Sequence, residues 1–187
     1  MHEHSRRTFF VGLVAVAAAA PALVEAATSS KPSSTDLAKH EHYMRLAIEI
    51  AQRNPKRPFG SVIVDDRTGE IVGRGVVAMN INPMYHSEVV AMNDYVTHHG
   101  NRDWGKLTMY GTGEACPMCM SAMVWAGLPS VVYASEMPFV AKYVNLIHIR
   151  AKDVIAAAHP LYTNKLLLGG VLSSITDPMF ANRAKAL

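Results

Sequence analysis

Two short clusters constrain this chain more than anything else in it: His86-Ser87-Glu88 and Cys116-Pro117-Met118-Cys119. Cys116 and Cys119 are spaced i and i+3 at a helix start, which points both sulfurs the same way. Pro117 suits the first helical turn, where a missing N–H is no loss. His86 also precedes an apolar-periodic run, Val89, Val90, Met92 and Val96, so it too stands at a helix N-terminus. A helix start and a nearby cation both favour thiolate over thiol. One imidazole and two thiolates are ligands that zinc takes in tetrahedral geometry, with a fourth position left for water in a catalytic site. Glu88, two residues beyond His86, is placed to act on that water as a general acid/base. The fold must therefore bring two helix N-termini, about thirty residues apart, onto one ion.

Other readings of the same residues are open. Both cysteines of the chain lie in the C-x-x-C, which on its own reads equally as a thioredoxin-like redox pair. The upstream His-x-Glu tips it toward metal. A structural zinc site needs a fourth protein ligand, for which His98, His99, His148 and His159 are candidates, and nothing in the sequence brings one of them near. Glu88 alone would read as a first-turn carboxylate favoured by the helix dipole. His98 and His99 suit the last turn of their helix, and His40 and His42 suit polar positions of the first helix. Met123 and Trp125 read as core. Asn80 reads as a turn residue or a substrate contact. Phe59-Gly60 reads as a strand start, with Gly60 permitting a close backbone approach to a ligand as the secondary idea.

The stretch GTGEACPMCMSAMVWAGL, with RPFGSVIVDD and NPMYHSEVVAM upstream, resembles the cytidine deaminase-like superfamily of zinc deaminases over roughly residues 37–135. The similarity is greatest to the branch of bacterial guanine deaminases and tRNA adenosine deaminases. It implies a three-layer α/β/α fold with a mixed central sheet, Zn2+ held by His86, Cys116 and Cys119, Glu88 as the catalytic proton carrier, and a homodimer. It further implies hydrolytic deamination of an amino-substituted purine base or nucleoside, guanine-type favoured. A cytosine- or cytidine-type pyrimidine deaminase and a non-catalytic zinc-binding member of the fold are the alternatives. The chain departs from the family pattern in having Ala115 in place of Pro, Ser87 in place of Ala, and a short loop from Asn80 to His86. The family's substrate-binding asparagine then falls on Asn80, with Asn82 as the other choice.

Residues 1–27 resemble a twin-arginine export signal, with an ordinary signal peptide or an uncleaved membrane anchor as the alternative readings. Ser5-Arg6-Arg7-Thr8-Phe9-Phe10 carries the paired arginines, and the apolar run Phe9–Ala20 is too short to span a bilayer comfortably. The expected location is periplasmic or exported, with no membrane anchor after cleavage. Residues 28–35 read as a linker and 36–187 as the deaminase domain. A net charge of +3 without a Lys/Arg run argues against a nucleic-acid partner and leaves a small amino-heterocycle.

Within the domain the periodicities predict a helix over 36–53, a hairpin of strands 59–64 and 70–78, a helix over 86–99, a strand over 107–112, a helix over 116–126 and a strand over 130–134. The order α-β-β-α-β-α-β means a mixed sheet with helices packed on it. Beyond Ser135 the pattern weakens. Residues 142–149 fit a strand or a helix, 151–158 fit a helix, and Asp177-Pro178 reads as the start of a last helix to Ala186.

Overall fold

A computed structural model describes residues 33–183. The expected export signal and the last four residues lie outside the described part. The first helix, α1 (Ser34–Ala51), starts two residues before the predicted boundary, because Ser33 caps it: its hydroxyl accepts from Asp36 N at 3.2 Å. Its buried face is Tyr43, Met44, Ala47, Ile48, Ile50 and Ala51. The next two elements are the predicted hairpin, β1 (Gly60–Asp65) and β2 (Ile71–Val76), paired antiparallel. The reversal between them uses Gly69 at φ 76°.

Helix α2 (Ser87–His99) follows, then β3 (Leu107–Gly113), α3 (Pro117–Ala126) and β4 (Ser130–Ser135). Gly100 and Gly127 end the two helices, both at positive φ. β1 pairs antiparallel with β3, and β3 pairs parallel with β4. A three-residue strand, β5 (Leu166–Leu168), adds to β4 in parallel, so the sheet order is β2-β1-β3-β4-β5. Every residue of β1, β3 and β4 is buried, so the centre of the sheet is covered on both faces.

Side chains alternate across the sheet. Val62, Val64, Tyr110, Val132 and Ala134 pack under α1, together with Met179 of the last helix, α6 (Ser173–Asn182). Ile63, Met109 and Val131 face the other way, under Ala91 and Tyr95 of α2 and Cys119, Met120 and Met123 of α3, with α5 (Ala151–Ala157) outside them. Full burial of one such apolar side chain stabilises by about 1.5–3 kcal/mol. The result is the three-layer α/β/α arrangement with a mixed sheet.

Several expectations change. Trp125 is not core: it is 77% exposed, because the inward stripe of α3 runs through Cys119, Met120, Met123 and Val124. Residues 142–149 form neither strand nor helix, and the short helix α4 (Met137–Val140) precedes them. The last helix begins at Ser173, four residues before Asp177, after Leu172 turns the chain at φ 58°; Pro178 is accommodated inside it. Among the described residues no helix is long and apolar enough to cross a membrane.

This topology fixes one functional edge. β1 runs against β3, so Gly60 and Ser61 lie beside the end of β3 and the end of β2. Helices α2 and α3 begin at that edge.

Candidate active site

His86 and Cys116 are the N-cap residues of α2 and α3, each with extended backbone, and Cys119 lies one turn into α3. Gly75 makes the approach of α2 possible. A Cβ there would fall 2.0 Å from Ser87 O and 2.5 Å from Ala91 N, so only glycine lets the first turn of α2 sit on β2. Gly60 also serves a close backbone approach, but to α1 rather than to a ligand: its Cβ would meet Ala47 O at 2.4 Å.

The three metal-ligand candidates converge. Cys116 Sγ lies 3.4 Å from His86 Nδ1 and 3.6 Å from Cys119 Sγ. Tetrahedral zinc, with bonds of about 2.3 Å to sulfur and about 2.0–2.1 Å to nitrogen, separates two sulfurs by about 3.8 Å and sulfur from nitrogen by about 3.6 Å. The donor set therefore fits zinc with little movement. All three ligand atoms lie within 4.8 Å of one another, and among the described residues no fourth His, Cys, Asp or Glu joins the set. His98, His99, His148 and His159 are all exposed on the surface and lie outside it. Three protein ligands and no fourth is the pattern of a site open to water.

The electrostatics agree with a cation site. The pKa of Cys116 is pulled down to about 4, first by its hydrogen bond with Cys119 and then by its bond with His86. Cys119, buried beside that thiolate, is pushed well up. His86 is raised, chiefly by its bond to Cys116. A divalent cation between the two sulfurs would favour the thiolate form of both. Glu88 is buried, and its pKa is raised first by that burial and then by the neighbouring Cys116 thiolate. It stays out of the ligand set while lining the same cavity.

That cavity measures about 330 Å3. His86, Glu88 and Cys116 line one part of it. Phe59, Val77 and Met79 form an apolar wall, and Val144, Asn145 and Leu146 line it from the irregular segment after α4. Asn80 is exposed in the turn beyond Met79 and does not line the cavity. Asn82 is spent locally, its Oδ1 accepting from Met84 N at 2.9 Å. The short loop is the reason: Ile81 N and Asn82 N both bond back to Ala78 O, a tight turn that carries these residues outward. Sequence reasoning missed Asn145, Arg57 and Arg183, which also line the cavity. It missed Glu114 too, a buried carboxylate that accepts from Met137 N, Ala151 N and Arg150 Nε and so ties the ends of α4 and α5 to β3. Glu114 lies inside a stretch quoted for its cysteines, and its role depends on donors that arrive 23 to 37 residues later.

A mixed sheet between two helical layers, with a His/Cys/Cys set at two helix starts and a buried carboxylate beside it, defines the class of the zinc-dependent hydrolytic deaminases. Residues 37–135 match the model of the cytidine and deoxycytidylate deaminase zinc-binding region, and the chain belongs to that family. A probable cytosine deaminase of Schizosaccharomyces pombe is 28% identical over 140 residues, 69% of this chain and 85% of that protein. The guanine deaminase of Bacillus subtilis is 32% identical over 101 residues, 52% of this chain and 65% of that protein. A tRNA-specific adenosine deaminase of Streptococcus pyogenes is 34% identical over 105 residues, 54% of this chain and 65% of that protein. The fold is shared with the guanine deaminase from Nitrosomonas europaea, at a TM-score of 0.66 and 16% identity, over 78% of this chain and 85% of that one.

Proposed function

We propose that this protein hydrolytically deaminates an amino-substituted purine base or nucleoside, guanine-type favoured, and releases ammonia. The observation that carries this is the meeting of His86, Cys116 and Cys119 with buried Glu88 on one small cavity. The three ligands would hold Zn2+, which when bound lowers the pKa of water toward neutral. Glu88 takes the proton from the attacking water and delivers it to the ring nitrogen. Oxygen adds to the carbon that bears the amino group, giving a tetrahedral intermediate on the substrate. Glu88 then carries a second proton to the amine, the C–N bond breaks, and ammonia leaves a carbonyl behind. The cavity volume falls at the small end of ligand pockets, which suits a single heterocycle.

The Bacillus relative and the Nitrosomonas fold neighbour favour guanine. The Schizosaccharomyces relative, matched over the longer share of its own length, favours a pyrimidine as second reading. The deciding assay is ammonia release from guanine, guanosine, adenine, adenosine, cytosine and cytidine by zinc-loaded protein. Glu88→Gln should keep the metal and lose turnover by about 100-fold or more. Near-normal turnover in that variant removes Glu88 from the reaction. Zinc without ammonia from any of the six supports a non-catalytic member or an untested heterocycle.

The same reading includes export through the paired arginines and assembly as a homodimer. Lysine at both Arg6 and Arg7 should retain the protein in the cytoplasm on fractionation. Light scattering of the purified protein should give twice the chain mass.

A further inference from the structure

The mechanism leaves two buried hydroxyls unused. Ser61 of β1 is fully buried, and Ser87, the first residue of α2, is 2% exposed. Ser61 Oγ donates to Ser87 Oγ at 2.8 Å, and Ser87 Oγ donates to Glu88 Oε2 at 3.0 Å. Each hydroxyl has one proton to give, so the donations run one way and end on the carboxylate. The register makes room for this. Ser61 pairs with Gly75 on one side and Gly111 on the other, so its neighbours in the sheet carry no side chains.

The pair is out of character with its surroundings. Ile63 and Met109 lie beyond it on the same sheet face, and Ala91 of α2 packs over them. A buried hydroxyl there is costly unless bonded, and the contact of Ser61 with Ser87 and of Ser87 with Glu88 resolves both at once. The terminal torsion of a glutamate is broad, so a carboxylate free at both oxygens samples many orientations. Anchoring one oxygen narrows them, and orientation of the proton carrier is worth a large factor in rate.

We propose that Ser61 and Ser87 are positioning residues for Glu88, two hydroxyls in series that hold one carboxylate oxygen and so set the direction in which the carboxylate faces the cavity. This rests on the reading of Glu88 as the proton carrier.

The test is a cycle of Ser61→Ala, Ser87→Ala and the double variant in zinc-loaded protein, with Glu88→Gln beside it. Zinc content should be unchanged throughout, since neither serine touches a ligand atom. Ser87→Ala should lower kcat about tenfold and leave KM within about twofold, the size expected for losing a hydrogen bond to a charged group. Ser61→Ala, which does not touch Glu88, should lower kcat about threefold in the same direction. The double variant should match Ser87→Ala within about twofold, because Ser61 acts only through Ser87. A double variant whose loss is the product of the two, or a Ser87→Ala variant with kcat within about twofold of wild type, overturns the series arrangement. A second readout needs no turnover. The infrared carboxylate band isolated by subtracting the Glu88→Gln spectrum should shift in Ser87→Ala and shift less in Ser61→Ala; an unmoved band overturns the proposal even if the substrate reading has failed on its own.

Discussion

At the scale of single residues, the contrast between Asn80 and Asn145 is the sharpest. Asn80 follows β2 at the place where a substrate contact was expected, yet the Ala78 turn carries it to the surface. Asn145 comes from a stretch with no secondary structure and lines the cavity. Asn145→Ala should therefore raise KM for the substrate about tenfold or more, and Asn80→Ala should leave it within about twofold, the loss for Asn145 reflecting a hydrogen bond made to the bound ring. Steady-state kinetics on the two variants checks this, and the reverse order would move the substrate contact back to the loop before His86. The cluster of His86, Cys116 and Cys119 was legible because zinc restricts its ligands by chemistry: two thiolates at i and i+3 and a histidine at a helix start have few other joint uses. Asn145 was not, since an amide between two apolar residues carries no local signal.

At the scale of elements, the docking of α2 on β2 places the first turn of the site, and the docking of α1 holds the opposite face of the sheet. Gly75→Ala inserts a methyl where Ser87 O and Ala91 N already stand, so α2 must lift from the sheet. Overpacking of this kind costs about 1–3 kcal/mol. Because His86 and Glu88 ride on the lifted turn, the variant should also bind zinc more weakly, measured by competition with a chromophoric chelator. A loss of stability with zinc affinity unchanged would show that the α2 start does not depend on Gly75. On the opposite face His40 of α1 places Nδ1 3.0 Å from the Tyr110 hydroxyl of β3. Its pKa is lowered, first by burial and then by Lys39, with Asp36 and Asp66 opposing. A histidine whose folded pKa is depressed is protonated more readily when unfolded, so its contribution is present above the unfolded value of about 6.5 and is lost as pH falls below that toward the folded value. As pH falls from neutral through the unfolded histidine value of about 6.5, melting temperature should fall more steeply in wild type than in His40→Gln; parallel curves would remove His40 from the acid response.

For the whole molecule, a metal held by the three candidate ligands would join two helices that come from separate stretches of the chain. His86 belongs to α2 and the cysteines to α3, so a bound zinc crosslinks two helices through their first turns. A ligand present at about 100 times its dissociation constant stabilises by about 2.7 kcal/mol. For a domain of this size that corresponds to roughly 5–10 °C in melting temperature. Chelation should lower the melting point by that amount and make Cys116 reactive to alkylation, and zinc added back before the alkylating reagent should restore both the melting point and the protection of Cys116. An unchanged melting point would mean that the ligand set does not take the metal. From the sequence alone came the α-β-β-α-β-α-β order, the hairpin, the two helix starts and the candidate set of His86, Cys116 and Cys119 with Glu88, because each rests on a period, a cap or a ligand chemistry written within a few neighbouring residues. The tertiary structure alone decided the third parallel strand, β5, the exposure of Trp125, the outward turn of Asn80, the carboxylate hub at Glu114 and the Ser61–Ser87–Glu88 series. Each of these depends on groups far apart in the chain, whose meeting is set by sheet register and by how closely two backbones approach, and no local pattern of residues encodes that distance.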